Sequence, residues 1–152
     1  MRLLLSTLII FFTLPLFAAP ETYYLLRHAE KKDYLNPSLT EQGQIRANRI
    51  ATFLSDKNIS HIFSTNYNRT LETAKPLSEK LNITVTHYNP RQLSAFVKQL
   101  KTLKGNVVIV GHSNTTPDLV KLLSDKTISI KEDEFDKVFI IKDRKLTITN
   151  SN

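Results

Sequence analysis

The stretch Asn106–Val110, NVVIV, carries four consecutive β-branched residues after its asparagine. No polar residue interrupts the run, so it suits a strand covered on both faces, at the centre of a mainly parallel sheet with helices packed on either side. The rest of the chain has the patterns such a sheet requires. Thr22–Leu26, His61–Ser64 and Ile83–Thr86 read as further strands. Leu39-Thr40 introduces a helix with Ala47, Ile50, Ala51 and Leu54 on one face, and a second helix carries Leu71, Ala74, Ser78 and Leu81. A third presents Leu93, Phe96, Val97, Leu100 and Leu103 and is expected to end on Gly105 as its cap. A fourth follows NVVIV, with Thr116 as the expected cap, Pro117 in the first turn, and Leu119, Leu122 and Leu123 as its apolar side. Val138–Ile141 and Leu146–Ile148 flank Asp143-Arg144 and predict a terminal hairpin. The fold class is therefore α/β: a three-layer α/β/α sandwich with a mainly parallel central sheet and a C-terminal hairpin.

A chain of 152 residues, 41% of them hydrophobic, is the size of one domain with a real core. Its start reads differently: Met1-Arg2, the apolar run LLLSTLIIFFTLPLF, then Ala18-Ala19-Pro20. A basic start, a short apolar run and a small-residue exit describe a secretory signal peptide over residues 1–18, cut after Ala18, which leaves 19–152 as the domain. The run is shorter than the roughly 20 residues of a membrane-spanning helix, so no stable membrane insertion is expected once it is removed. The expected location is the bacterial periplasm or outside the cell. With no cysteine, no disulfide can form. The formal charge of +7, less Arg2, leaves +6 on the mature chain and favours anionic partners. The lysines are scattered and no groove-reading motif is present, so nucleic acid is not expected as a partner.

Two polar pairs terminate strands read as core. Arg27-His28 closes YYLL, and Gly111-His112 follows NVVIV directly. In open α/β sheets, ligands bind beyond the carboxyl ends of the strands, so the two histidines can converge there. Ser64–Arg69 brings a third segment to the same end. Arg27 and Arg69 supply planar, permanent charges suited to a phosphomonoester dianion. A neutral imidazole can attack phosphorus if its other nitrogen is held as N–H. A second imidazole can hydrogen-bond the phosphoryl oxygens, and Gly111 lets the backbone approach closely.

RHAEK, SLTEQGQIRA, STNYNRTLETA and VVIVGHSNTTP, in that order, resemble the histidine phosphatase superfamily, also called phosphoglycerate mutase-like, and in length its smaller members without an inserted cap domain. The resemblance spans about Tyr23 to Leu123. It implies that His28 is the nucleophile that becomes phosphorylated, that Arg27, Arg69 and His112 complete the phosphate pocket, and that no cofactor or metal is needed. His61 and His87 stand apart as surface or strand-edge residues, and no histidine spacing suggests a metal site.

The proton donor for the leaving group is less defined. In the acid phosphatase branch it is an aspartate immediately after the second histidine, a place taken here by Ser113. Glu30 is the first candidate, with Asp33, Glu72 and Asp118 as rivals. The plainer reading makes Glu30 a partner of Lys31 or solvent, Glu72 an ion pair with Arg69, and Asp118 a helix-dipole residue. Asn114 and Thr115 are expected either to line the pocket or to cap the helix. The acidic run Lys131–Asp136, KEDEFD, reads as a solvated turn, with Phe135 packed on the domain.

The expected function is an exported phosphomonoesterase acting on a small phosphorylated substrate or a phosphoprotein through a phosphohistidine on His28. Without a strong acid it would favour good leaving groups, phosphoramidates among them. A phosphate-recognising binding protein with little turnover is the alternative. A mutase fits less well, because few residues remain to shield a phosphoenzyme from water. The sequence leaves the oligomeric state open.

Overall fold

The computed structural model describes residues 20–151, so the expected leader 1–18 lies outside the described residues. The elements are β1 (Tyr23–Arg27), α1 (Glu41–Leu54), β2 (Ile59–Ser64), α2 (Asn68–Leu81), β3 (Val85–His87), α3 (Leu93–Leu100), β4 (Asn106–Gly111), α4 (Thr115–Ser124), β5 (Lys137–Lys142) and β6 (Lys145–Asn150). They form one six-stranded sheet in the order β3-β2-β4-β1-β5-β6. β1, β2, β3 and β4 run parallel, whereas β5 and β6 are antiparallel additions on the β1 side.

Alternation along the two central strands builds a core on each face of the sheet. Tyr23, Leu25, Val107 and Ile109 point to one side, where Phe96 and Leu100 of α3 and Leu119 and Val120 of α4 meet them. Tyr24, Leu26, Val108 and Val110 point to the other, against Ile50 and Leu54 of α1 and Leu77 of α2. The chain therefore leaves β1 for one face and leaves the adjacent β4 for the opposite face. Between these diverging exits, at the carboxyl ends of β1 and β4, a crevice must open.

Local chemistry accounts for the element ends. Thr40 caps α1 by accepting from the Gly43 amide at 3.1 Å, while its own amide donates to the Glu30 carbonyl at 2.9 Å. Asn82 ends α2 in the left-handed conformation at φ 53°. Asp143 and Arg144, at φ 49° and 61°, form the two-residue turn of the terminal hairpin.

Several boundaries differ from expectation. The third strand is Val85–His87, displaced toward the C-terminus from Ile83–Thr86, because the Ile83 amide is used to close α2 on the Ser78 carbonyl. α2 buries Thr70, Thr73, Ala74 and Leu77 rather than Leu71, Ser78 and Leu81, since its inner face must also reach the polar crevice. α3 stops at Leu100 with Lys101 as its cap, and Gly105, at φ 82°, belongs to the turn into β4. α4 is capped by Asn114, whose side chain accepts from the Thr115 amide, so Thr116 is already helical. Leu122 is 41% exposed, and Val120 takes its expected place in the core.

Gly43 has a steric reason to be glycine. A Cβ there would lie 2.1 Å from the Glu30 carbonyl oxygen, a main-chain atom that cannot rotate away. Gly43→Ala should therefore destabilise the fold by about 1–3 kcal/mol through forced backbone displacement. A denaturant titration should show the loss as a lowered midpoint with little change of slope.

Candidate active site

The crevice between the β1 and β4 exits is a cavity of about 380 Å³, lined by Arg27, His28, Tyr67, Arg69 and His112, with Lys31, Arg91 and Glu132 also on its wall. Sheet register puts the two histidines together. Arg27 pairs with Gly111 at the last rung of the β1–β4 ladder, and the His28 amide continues it by donating to the Gly111 carbonyl at 2.9 Å. The two imidazoles then face each other with centroids 5.7 Å apart and planes at 66°. Gly111 must lack a side chain here, because a Cβ would sit 2.7 Å from the Tyr88 hydroxyl and about 3 Å from the hydroxyls of Thr115 and Thr116.

The proton positions on both rings follow from their partners. His28 Nδ1 lies 2.7 Å from the Ala29 carbonyl oxygen, which can only accept, so Nδ1 carries the hydrogen and Nε2 keeps its lone pair. His112 Nδ1 lies 3.2 Å from Arg69 Nη2, which can only donate, so the His112 hydrogen is on Nε2 and is given to Thr65 Oγ1 at 2.9 Å. Thr65 is tied in turn to Thr70 at 2.9 Å. Burial draws the His28 imidazole down to about 3, an effect only partly opposed by the Ala29 carbonyl, and the charges of Arg27 and Arg69 add to it. His112 is brought to about 4 by burial and then by Arg69 and Arg27. Both rings are neutral near pH 7.

The arginines are held from outside the pocket. Arg27 is 5% exposed; its Nη1 donates to the carbonyls of Lys131 at 3.0 Å and Glu132 at 2.9 Å, and the Phe135 ring lies 4.2 Å from its guanidinium carbon. Arg69 stacks over Tyr67 at 4.7 Å, and Tyr67 also stands edge-on to His112. Thr73 accepts from the Ala29 amide at 2.9 Å and donates to the Arg69 carbonyl at 2.6 Å, fixing α2 against the turn after β1. Arg27 Nε and Arg69 Nε are both buried without a hydrogen-bond partner. Two orphaned cationic donors beside two neutral imidazoles describe a site for a compact, multiply charged anion.

Thus the structure brings together Arg27, His28, Arg69 and His112, with Asn114 and Thr115 also on the wall. Both line the cleft, but only Asn114 caps α4, while Thr115 Oγ1 accepts from the His112 amide at 3.1 Å. The proposed acids are placed elsewhere. Glu30 is gripped by Arg46 through both oxygens at 2.7–2.9 Å. Burial would raise its carboxyl, but the Arg46 hydrogen bonds and charge lead the effects that together outweigh burial and hold it below the usual range, the wrong direction for a proton donor. Glu72 accepts from the Leu39 amide at 2.7 Å and faces a separate groove of about 810 Å³ between α1 and α2. Asp33 and Asp118 are exposed and do not line the cleft.

The acidic run Lys131–Asp136 is more than a solvated turn, since two of its carbonyls and one of its rings clamp Arg27. Tyr67, Thr65 and Thr73 are also positioning residues that residue type alone did not reveal. Among the described residues, no group of three or more His, Cys, Asp or Glu side chains could hold a metal ion.

Residues 23–91 match the sequence model of the histidine phosphatase superfamily (branch 1), and that match supports the resemblance read from the motifs. Among solved structures it is similar to SixA from Agrobacterium tumefaciens, assigned as a phosphohistidine phosphatase, at TM-score 0.67 and 18% identity over 86% of this chain and 97% of that one. The phosphoglycerate mutase of Bacillus anthracis aligns at TM-score 0.67 and 14% identity, covering 88% and 94% of the two chains. The alpha-ribazole phosphatase of Shigella flexneri aligns at 0.67 and 13%, covering 85% and 95%. At these identities the likeness is one of fold. No curated protein sequence matches the chain significantly.

The two depressed histidines couple stability to pH. The folded protein binds fewer protons than the unfolded chain between pH 6.5 and about 3, so their contribution is fully present above pH 6.5 and is lost as pH falls through that window. The melting temperature should drop between pH 6.5 and 4 by an amount reflecting a few kcal/mol, roughly. His28→Gln should flatten that drop when the two proteins are compared by scanning calorimetry across the same pH series.

Proposed function

We propose that the protein is a metal-independent phosphatase that removes a phosphoryl group from small phosphate esters, phosphoramidates or phosphoproteins through a phosphohistidine on His28. The observation that carries this reading is the His28 ring itself: neutral, buried, with Nδ1–H fixed on the Ala29 carbonyl and Nε2 directed by elimination to be the nucleophile. Burial disfavours imidazolium, so almost all of the enzyme holds the attacking form at neutral pH.

Each neighbour has a defined part. The free Nε–H groups of Arg27 and Arg69 bind the phosphoryl oxygens and neutralise a dianion. Arg69 then lies between the phosphoryl group and His112, and the Thr65 hydroxyl fixes the plane of the His112 ring. As charge moves onto the equatorial oxygens, these preset donors stabilise the transition state without reorganising. Water enters through the open mouth and cleaves the phosphohistidine, so the outcome is hydrolysis and not transfer to a second hydroxyl. The basic start and short apolar run of residues 1–18 support export of the enzyme, to the periplasm or beyond the cell.

The leader-free protein should hydrolyse p-nitrophenyl phosphate in the presence of chelator, and His28→Ala should lower kcat/KM by roughly 1,000-fold or more, as removal of a covalent nucleophile does. Quenching with labelled substrate should leave acid-labile, base-stable phosphate on the wild type alone. Binding of inorganic phosphate with no release from any ester would instead mark a phosphate receptor built on the same pocket.

A further inference from the structure

We propose that Glu132 is the group that exchanges the proton with the leaving atom, an inference that rests on the phosphatase reading above. It is the one carboxylate among the described residues on the wall of the cleft. Glu30 and Glu72 are engaged with Arg46 and the Leu39 amide, and Asp33 and Asp118 point to solvent outside it.

The placement of Glu132 follows from topology. β5 runs antiparallel to β1, with Val138 opposite Leu26, so the residues just before β5 must lie beside the carboxyl end of β1. Glu134 shapes that segment by accepting from the Lys131 amide at 2.9 Å and from Lys137 Nζ at 2.7 Å. The shaped turn then offers the Lys131 and Glu132 carbonyls to Arg27 and lays Phe135 on the guanidinium. The main chain of Glu132 is thereby fixed to the arginine that holds the phosphoryl group. Its side chain is 95% exposed, and its one ion pair is a loose contact, Oε2 to Arg27 Nη2 at 3.6 Å. An anchored backbone with a loosely held carboxylate suits a group that must reach a ligand atom and withdraw.

In-line geometry gives that carboxylate its target. His28, 3% exposed, attacks phosphorus from the floor of the cleft, so the departing atom must leave on the opposite side, toward the mouth where Glu132 stands. The phosphoryl oxygens and the carboxylate compete for the same edge of Arg27, and a proton shared between the carboxyl group and the leaving oxygen relieves their repulsion. In the first step the His28 Nε2–P bond forms, the P–O bond breaks, and the Glu132 carboxyl proton passes to the leaving oxygen. In the second step water attacks phosphorus, its proton returns to the Glu132 carboxylate, and the N–P bond breaks to release inorganic phosphate and neutral His28.

Dependence on the leaving group separates this role from simple positioning of Arg27. Wild type, Glu132→Gln and Phe135→Leu are assayed with p-nitrophenyl phosphate, whose phenolate needs no proton, and with glycerol phosphate, whose alkoxide does. Glu132→Gln should lower kcat/KM for glycerol phosphate by about 100-fold and that for p-nitrophenyl phosphate by less than about 3-fold, with inhibition by inorganic phosphate unchanged. Phe135→Leu, which loosens Arg27, should lower both esters alike. Equal losses on both esters with Glu132→Gln, no loss on either, or wild-type turnover confined to the aryl ester would overturn the proposal while leaving the phosphatase reading intact. A wild type that cleaves neither ester and forms no phosphoenzyme would overturn both.

Discussion

The parallel pairing of β1 with β4 is the constraint on which the site depends. Neither Arg27-His28 nor Gly111-His112 is chemically distinctive alone, since each is a polar pair at the end of an apolar strand. The register that sets Arg27 opposite Gly111, extended by the His28 amide to the Gly111 carbonyl, makes them one pocket. A slip of one residue along either strand would turn its side chains to the opposite face and separate the rings. Buried side chains on both faces hold that register, because Tyr23 and Leu25 pack in the core on one face of the sheet and Tyr24 and Leu26 in the core on the other. The packing that stabilises the domain is thus also what aligns the two histidines.

The pocket is electrostatically costly without its ligand. Two guanidinium groups and two imidazoles share a crevice in which His28 and His112 are almost fully buried and Arg27 is 5% exposed. Lost hydration first, and like charges after it, push both imidazoles to the neutral form. The two orphaned Nε–H groups show which charge the pocket still lacks. A compact anion would supply it, so the same unfavourable burial that makes the site pH-sensitive also favours an anionic ligand.

The parts of this arrangement visible in the sequence are those written in local pattern. Four β-branched residues ending in Gly-His, the apolar run ending in Arg-His, and the helical spacing of Ala47, Ile50 and Leu54 each depend on neighbours a few residues apart. The parts that were not visible join distant segments. Glu30 finds Arg46 across the turn into α1, a partner that helical spacing cannot point to because the two residues belong to different elements. Cap positions slipped for a related reason: Asn114, Thr115 and Thr116 can all cap a helix, but the His112 amide claims Thr115 Oγ1 and the Leu26 carbonyl takes Thr116 Oγ1, which leaves Asn114 as the cap. The run KEDEFD has the composition of a solvated turn, and its carbonyls meet a guanidinium more than a hundred residues away.

That last contact follows from the direction of β5. Had the strand beside β1 on that side been parallel, it would have sent its own carboxyl end, and the segment after it, to the crevice, as β4 does with Gly111-His112. An antiparallel strand instead delivers the segment that precedes it, so the connection from α4 becomes a wall of the site. Among the described residues, the edge of the cleft on the β5 side of His28 is built from such a connection. The acidic turn before β5 fills that place because it satisfies Arg27 with main-chain carbonyls. Glu134 is bonded to the Lys131 amide and Lys137 Nζ, whereas Glu132, held only by a loose contact with Arg27, is the carboxylate of this turn on the wall of the cleft.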